Sequence, residues 1–374
     1  MFRTAARTGL RPTTVTLAVS LAVAGLALAA CGGSGGGGGG SGSSDSGVTI
    51  GLLLPDSRAS RWEKFDRPLI EHRVKELCGN CRVRYGNARG DVAAQQQQVD
   101  SMITEGVDAL ILTPVDAKAL TSSVKEVKAA NIPVISYDRL SEGPISGYVS
   151  FDGEQVGRLQ GTALLKALGP HAAGRQIVMM NGDPSADPNA NLFKRGALSV
   201  LRGKVRIGKS YDTEGWKPEV ANSNMSGAIG ALGADHVDGV YAANDGLAAG
   251  VIASLRANVV RPLPPVTGQD AELSAVQRIV VGDQYMTVYK PFAPEADAAA
   301  EMALTLGRGQ KLGKRAPDRV NSPTTQDIPA VLLDGITVTV GNIRTTLVKD
   351  GMYSIGQICS PRFASACDKA GLTT

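Results

Sequence analysis

Three things are scarce in this chain of 374 residues: aromatic side chains (4%, two of them tryptophan), histidine (three), and net charge (+4). The histidines, His72, His171 and His236, are scattered. No H-E-x-x-H occurs, and no G-x-S-x-G outside the glycine run at 32–40. The usual zinc-protease and serine-hydrolase signatures are therefore missing. An enzyme built from this chain would have to rely on other groups, such as paired aspartates acting as acid and base. Charged residues are 20% and apolar residues 43%, which excludes a disordered tail and a many-span membrane protein. Arg3, Arg7 and Arg11 lie in a segment expected to be removed, and without them 36 basic residues face 35 acidic ones. A near-neutral body gives no electrostatic case for a nucleic-acid partner.

What is present at the N-terminus is an export device. The three arginines precede an apolar run from Val15 to Ala27 and then Leu28-Ala29-Ala30-Cys31. That order is a positive region, a hydrophobic region and a small-residue cleavage site, so residues 1–30 are expected to be a signal peptide. An uncleaved membrane helix is the alternative. Cys31 weighs against it, because Leu-Ala-Ala-Cys resembles the bacterial lipobox, whose cysteine takes a diacylglycerol. More than one acyl chain, at ~0.8 kcal/mol per buried methylene, gives a lasting anchor. Gly32–Gly47 has nothing apolar to bury and is expected to be a tether with a span of ~22 Å. The expected location is extracytoplasmic, lipid-anchored to the outer face of the bacterial cell membrane.

Four further cysteines, Cys78, Cys81, Cys359 and Cys367, suit an oxidising compartment. Two local disulfides are expected, Cys78 with Cys81 and Cys359 with Cys367. A redox C-x-x-C is an alternative, but such a motif opens a helix, whereas this one closes a helical pattern. A four-cysteine zinc site is opposed by the long gap between the pairs; no metal and no cofactor are expected.

From Val48 onward, strand-like runs alternate with helical periods. Strands are expected at 48–54, 83–85, 109–113, 133–137 and 148–151, with helices near 62–77, 92–105 and 117–130. The pattern restarts after Asp152: helices at 155–168, 191–201, 219–232, 247–257 and 271–280, and strands at 176–180, 205–211, 237–242, 266–267 and 285–289. This is α/β with parallel sheets, and there are too many strands for one small sheet. Two doubly wound, Rossmann-like lobes are expected, with a ligand outside the carboxyl ends of the strands. Polar residues stand at those ends: Asp138-Arg139, Asp152, Asn244-Asp245, Gln269-Asp270 and Lys290. Helix capping accounts for an Asp or Asn at any one place. It does not account for Arg139 and Lys290.

Ser60-Arg61-Trp62, Tyr137-Asp138-Arg139, Asp187-Pro188-Asn189 with Leu192-Phe193, Gly215-Trp216, Asn244-Asp245, Gly268-Gln269-Asp270 and Thr287-Val288-Tyr289-Lys290-Pro291 follow one another in a fixed order. In that order and spacing, from about Val48 to Tyr353, the chain resembles the periplasmic sugar-binding proteins of ABC transporters. Within that family it is most similar to the D-xylose-binding branch, and a multiple-monosaccharide-binding branch (glucose, arabinose, galactose) shares several stretches. The resemblance implies the type I periplasmic binding protein fold, with two lobes joined by a three-stranded hinge. One lobe would hold residues 48–152 and 291–330, the other 153–290 and 331–374.

It further implies sugar-hydroxyl contacts from Arg61, Asp138, Arg139, Asp187, Asn189, Asn244, Asp270 and Lys290, with Trp62 and Trp216 against the ring. These types suit a pyranose, whose hydroxyls both donate and accept and whose C–H faces are apolar. Phe193 reads either as a further wall or as core. Pro188 replaces a second asparagine of the xylose type, and the loop 182–189 is one residue longer, which bears on Asp187 and Asn189. The implied function is capture of a monosaccharide and its delivery to an ABC permease; a sensing receptor is the rival role. Gly203–Ser210 matches the P-loop letter for letter, but it reads as a strand following a helix, the wrong context for nucleotide binding.

Overall fold

The computed structural model describes residues 47–373. The export segment, Cys31 and tether residues 32–46 lie outside them. The first α/β run is built from β1 (Thr49–Leu54), α1 (Arg67–Leu77), β2 (Arg82–Asn87), α2 (Val92–Thr104), β3 (Ala109–Leu112), α3 (Thr121–Ala129), β4 (Val134–Tyr137) and β5 (Gly147–Phe151). β1, β3, β4 and β5 are almost wholly buried. Such near-continuous apolar strands are what a parallel sheet covered on both faces requires.

The chain then leaves for a second set: α4 (Gly153–Leu168), β6 (Gln176–Met180), α5 (Pro188–Leu201), β7 (Arg206–Tyr211), α6 (Pro218–Leu232), β8 (Gly239–Ala242), α7 (Asp245–Ala257), α8 (Leu273–Val281) and β9 (Thr287–Tyr289). It returns through α9 (Phe292–Gly307), β10 (Asp318–Val320) and β11 (Ile328–Leu333), and leaves again for β12 (Ile336–Val338). The first sheet has the order β10-β11-β5-β4-β3-β1-β2; β7-β6-β8 and β12-β9 form the others. β11 runs parallel to β5 through Leu333, so the last passage between the sheets lies at Asp334-Gly335, slightly beyond the expected place before Val331.

Several expected elements differ. The sheets are not wholly parallel: β10 with β11 and β9 with β12 pair antiparallel, in short strands that carry little alternation. The expected strand at 266–267 is a single bridge to Val240. Its backbone nonetheless links β8 to β9, since Thr267 N donates to Val240 O and Val288 N to Gly268 O. α3 starts at Thr121 because the Asp116 carboxylate takes the N–H groups of Lys118 and Ala119 in a turn before it. α8 starts at Leu273 because Asp270 and Ala271 have φ of 92° and 49°. Gly203–Ser210 is a turn leading into β7, so no phosphate cradle forms there.

The structure joins Cys78 to Cys81 and Cys359 to Cys367. The second pair sits in a C-terminal apolar cluster around Val338, Tyr353 and Leu372. α4 and α5 touch through glycine: a Cβ on Gly157 would stand 2.1 Å from Phe193 O, and one on Gly196 2.1 Å from Glu154 O. That close contact fixes the start of α5, which carries part of the site.

Candidate functional site

Two strands of the first sheet, β1 and β4, and strands β6 to β9 of the second set deliver their C-terminal ends to one cavity. It is lined by Arg61, Trp62, Asp138, Arg139, Asp187, Asn189, Trp216, Asn244, Asp270 and Lys290, all ten residues singled out from sequence. Phe193, Asp56, Gln269 and Glu272 complete much of the wall. About 70 Å³ is open to the centre of a water-sized sphere.

Arg61 is the most constrained side chain. Its Nε and Nη2 donate to Asp66 at 2.8 and 2.7 Å, Nη1 donates to Asp138 at 2.6 Å, and Nη2 donates to Glu295 at 2.6 Å. Trp62 and Phe292 lie 4.4 and 4.3 Å from its guanidinium carbon. Four of its five N–H groups are thus taken, and one on Nη1 remains. Arg139 Nε stands 3.2 Å from Asp187, and its Nη1 donates to Pro114 O. Lys290 Nζ lies 2.7 Å from Asp270 and 4.0 Å from Asp138. Every buried cation therefore faces a carboxylate.

Several of these groups are held in uncommon backbone. Asp138, Trp216 and Asp270 have φ of 60°, 55° and 92°. For non-glycine residues such conformations cost on the order of 1–3 kcal/mol each and gather at functional sites. The capping reading is correct for Asp152 and Asn244, and Asp187, outside that reading, caps a helix as well. Asp152, Asp187 and Asn244 accept from Gln155, Asn189 and Leu247 N–H groups at the starts of α4, α5 and α7. Of these, Asp187 and Asn244 also face the cavity, whereas Asp152 does not line it. Pro188 fills the first position of α5, where a missing N–H costs nothing. Asn189 Nδ2 donates to Asp138 O at 2.9 Å, tying α5 to the first sheet. Phe193 is both wall and core: it lines the cavity and meets Trp216 edge-on, with centroids 6.3 Å apart. The indole N–H groups of Trp62 and Trp216 are buried without a hydrogen-bond partner among the described residues.

Burial and neighbours shift the acids in opposite directions. Burial drives Asp138 upward, but Arg61, Lys290 and Arg139 outweigh it and hold the carboxyl below its usual range. Asp187, buried and repelled by Asp138, is pushed up to about 6 despite Arg139. Glu272 rises to about 7 through burial and Asp270. Burial lowers Lys290, yet Asp270 and Asp138 raise it further, so it stays charged.

Asp66, Glu272 and Glu295 were not among the sequence candidates. Asp66 and Glu295 face Arg61 from 5 and 234 residues away, and each sits in a helical pattern with no mark of its own. Gln269 stood beside a chosen residue; its amide donates to Ala243 O and its carbonyl has no partner among the described residues. Asp245, also at a strand end, instead turns inward to Gln284 and Thr287.

Residues 50–311 match the family model described as "Periplasmic binding protein domain". The chain belongs to the periplasmic binding protein family. This binding protein is 36% identical over 317 residues to the D-xylose-binding periplasmic protein of Escherichia coli, covering 83% of this chain and 92% of that one. It is 29% identical to a multiple sugar-binding periplasmic receptor of Rhizobium radiobacter, covering 83% and 92%. Among solved structures, an ABC transporter solute binding protein of Clostridium phytofermentans with bound β-D-glucose superposes with a TM-score of 0.77 at 27% identity, covering 83% and 99%. The α/β architecture of this binding protein, with its parallel sheets, is the type I fold of that family.

Proposed function

We propose that this protein captures one neutral monosaccharide, D-xylose foremost, between two lobes and delivers it to an ABC import permease. The observation that carries the reading is the convergence of all ten sequence-selected residues on one cavity. Its chemistry suits an uncharged polyol. Cations and carboxylates are already paired with one another, so a charged ligand would break a pair, whereas hydroxyls can donate to the carboxylates and accept from Arg61, Arg139 and Lys290. The two indoles supply apolar faces for the ring. The 36% identical relative named for D-xylose supports that sugar. The multiple sugar-binding relative and the glucose-bound neighbour favour a wider aldose range as the second reading.

Residues 48–152 with 291–333 supply Arg61, Trp62, Asp138 and Arg139, and residues 153–290 with 334–373 supply the remainder. A sugar touching both parts favours the closed arrangement by its differential contacts, and hinge closure follows. Cys31 carries the lipid anchor in this reading, and the tether holds the body at the outer face of the membrane. The test is tryptophan emission on adding D-xylose: a saturable change in the wild-type protein that disappears in Asp270→Ala. An equal change in both proteins overturns the site; mass spectrometry finding an unmodified Cys31 overturns the anchor.

A further inference from the structure

The buried carboxyl Glu295 has no place in the sugar contacts described above, yet it touches the residue that is most tightly held. It is the fourth residue of α9, in its first turn after Pro291 and the passage between the sheets, and its side chain has no exposure. Its Oε2 accepts from Arg61 Nη2 at 2.6 Å, and its Oε1 has no hydrogen-bond partner among the described residues. We propose that Glu295 is a positioning residue of this site: as the neutral acid it locks the Arg61 guanidinium so that the remaining Nη1 hydrogen faces the sugar. The proposal rests on the sugar-binding reading for its ligand, but not for its protonation state.

Charge and hydrogen-bond counts both single out Glu295 as the acid that keeps a proton. Arg61 and Lys290 already face three carboxylates, Asp66, Asp138 and Asp270, before Glu295 is counted. Asp66 accepts two bonds from Arg61 and one from the Tyr137 hydroxyl. Asp138 accepts from Arg61 and lies near Lys290, while Asp270 pairs with Lys290. Glu295 receives one bond only. A fourth buried anion here would have neither a cation of its own nor the donors that stabilise a carboxylate. The N-terminus of α9 favours the anion, but that end effect acts against two carboxylates on the same guanidinium. In line with this count, burial and the repulsion of Asp138 and Asp66 push the Glu295 carboxyl up to about 8, with Arg61 and Lys290 opposing.

Gln has the shape of a neutral Glu and keeps an acceptor for Arg61, so it is the faithful replacement. Wild type, Glu295→Gln and Glu295→Ala are compared by D-xylose titration at pH 7 and by thermal unfolding from pH 5.5 to 9. The expected binding result is a loss of at least tenfold in Glu295→Ala and recovery to within about threefold of wild type in Glu295→Gln. In unfolding, the wild-type melting temperature falls as pH rises toward 9, because the folded state must hold a proton that the unfolded chain releases. Glu295→Gln lacks that part of the slope, so its advantage over wild type grows with pH. Parallel melting profiles, or a Gln variant as weak as the Ala variant, overturn the proposal. If wild type binds no aldose, the sugar reading falls and the melting comparison alone decides; it also decides if Glu295→Ala fails to fold.

Discussion

Gly182→Ala tests the site through a residue that makes no ligand contact. Gly182 is buried at the start of the loop after β6, and a Cβ there would stand 2.1 Å from Trp216 Cη2 and 2.2 Å from Cζ2. Ordinary carbon contacts begin near 3.5 Å, so the indole must retreat by more than 1 Å. Its backbone cannot easily follow. Trp216 sits at φ 55°, its N–H donates to Thr213 O at 3.1 Å, and Gly215 N donates to Asp183 at 2.8 Å. Asp183 is held below its usual carboxylate range, since bonds from Ser185 and Gly215 outweigh its burial. Overpacking of this kind costs about 1–3 kcal/mol. If that cost falls on the ring-stacking wall, sugar affinity drops about 5- to 150-fold, at ~1.4 kcal/mol per tenfold. Calorimetric titration with D-xylose measures it, with circular dichroism to show that the fold is intact. An affinity within twofold of wild type would refute the role assigned to Trp216.

Two further outcomes follow from the same geometry. Asp187, pushed up to about 6 by burial and Asp138, accepts sugar hydroxyls best when ionised, so affinity declines as pH falls through 6. Asp187→Asn should remove that inflection in a pH series of titrations. For folding the sign is opposite: the raised carboxyl favours the folded state below about pH 4 and loses that contribution as pH rises through about 6, so Asp187→Asn should gain stability relative to wild type as pH rises, as thermal melts would show. Replacing Cys359 and Cys367 by serine opens a short loop in the cluster around Tyr353 and Leu372. A loss of roughly 2–4 kcal/mol is expected, read as a lower urea midpoint; an unchanged midpoint would remove the pair's structural role.

Much of the site was legible because the segments that follow β4 and β9 carry residues of the wrong type for a cap or a core. Arg139 stands in the loop between β4 and β5, and Lys290 stands before α9, where a helix start gains nothing from a cation; Asp138 and Asp270 cap no helix. What remained hidden depends on contacts far apart in the chain. Glu295 lies in a run, Glu-Ala-Asp-Ala-Ala-Ala-Glu, that reads as an ordinary helix with a solvated face, and only the packing of α9 against α1 turns it toward Arg61. The fold shows the same division. Apolar buried strands such as β1 and β3 declare themselves, whereas β9, β10 and β12 have three residues each and are defined by their antiparallel partners. Asn244 and Asp187 show that capping and ligand-facing roles are not exclusive, since a cap uses one oxygen and leaves the rest of the side chain free.

The most direct test of the central claim is isothermal titration of the protein at pH 7 with D-xylose, D-glucose, L-arabinose, D-galactose and D-ribose in parallel. Saturable binding of one molecule per chain, tightest for D-xylose and lost in Asp270→Ala, is the result predicted; no binding of any of the five, or equal binding by Asp270→Ala, would contradict it.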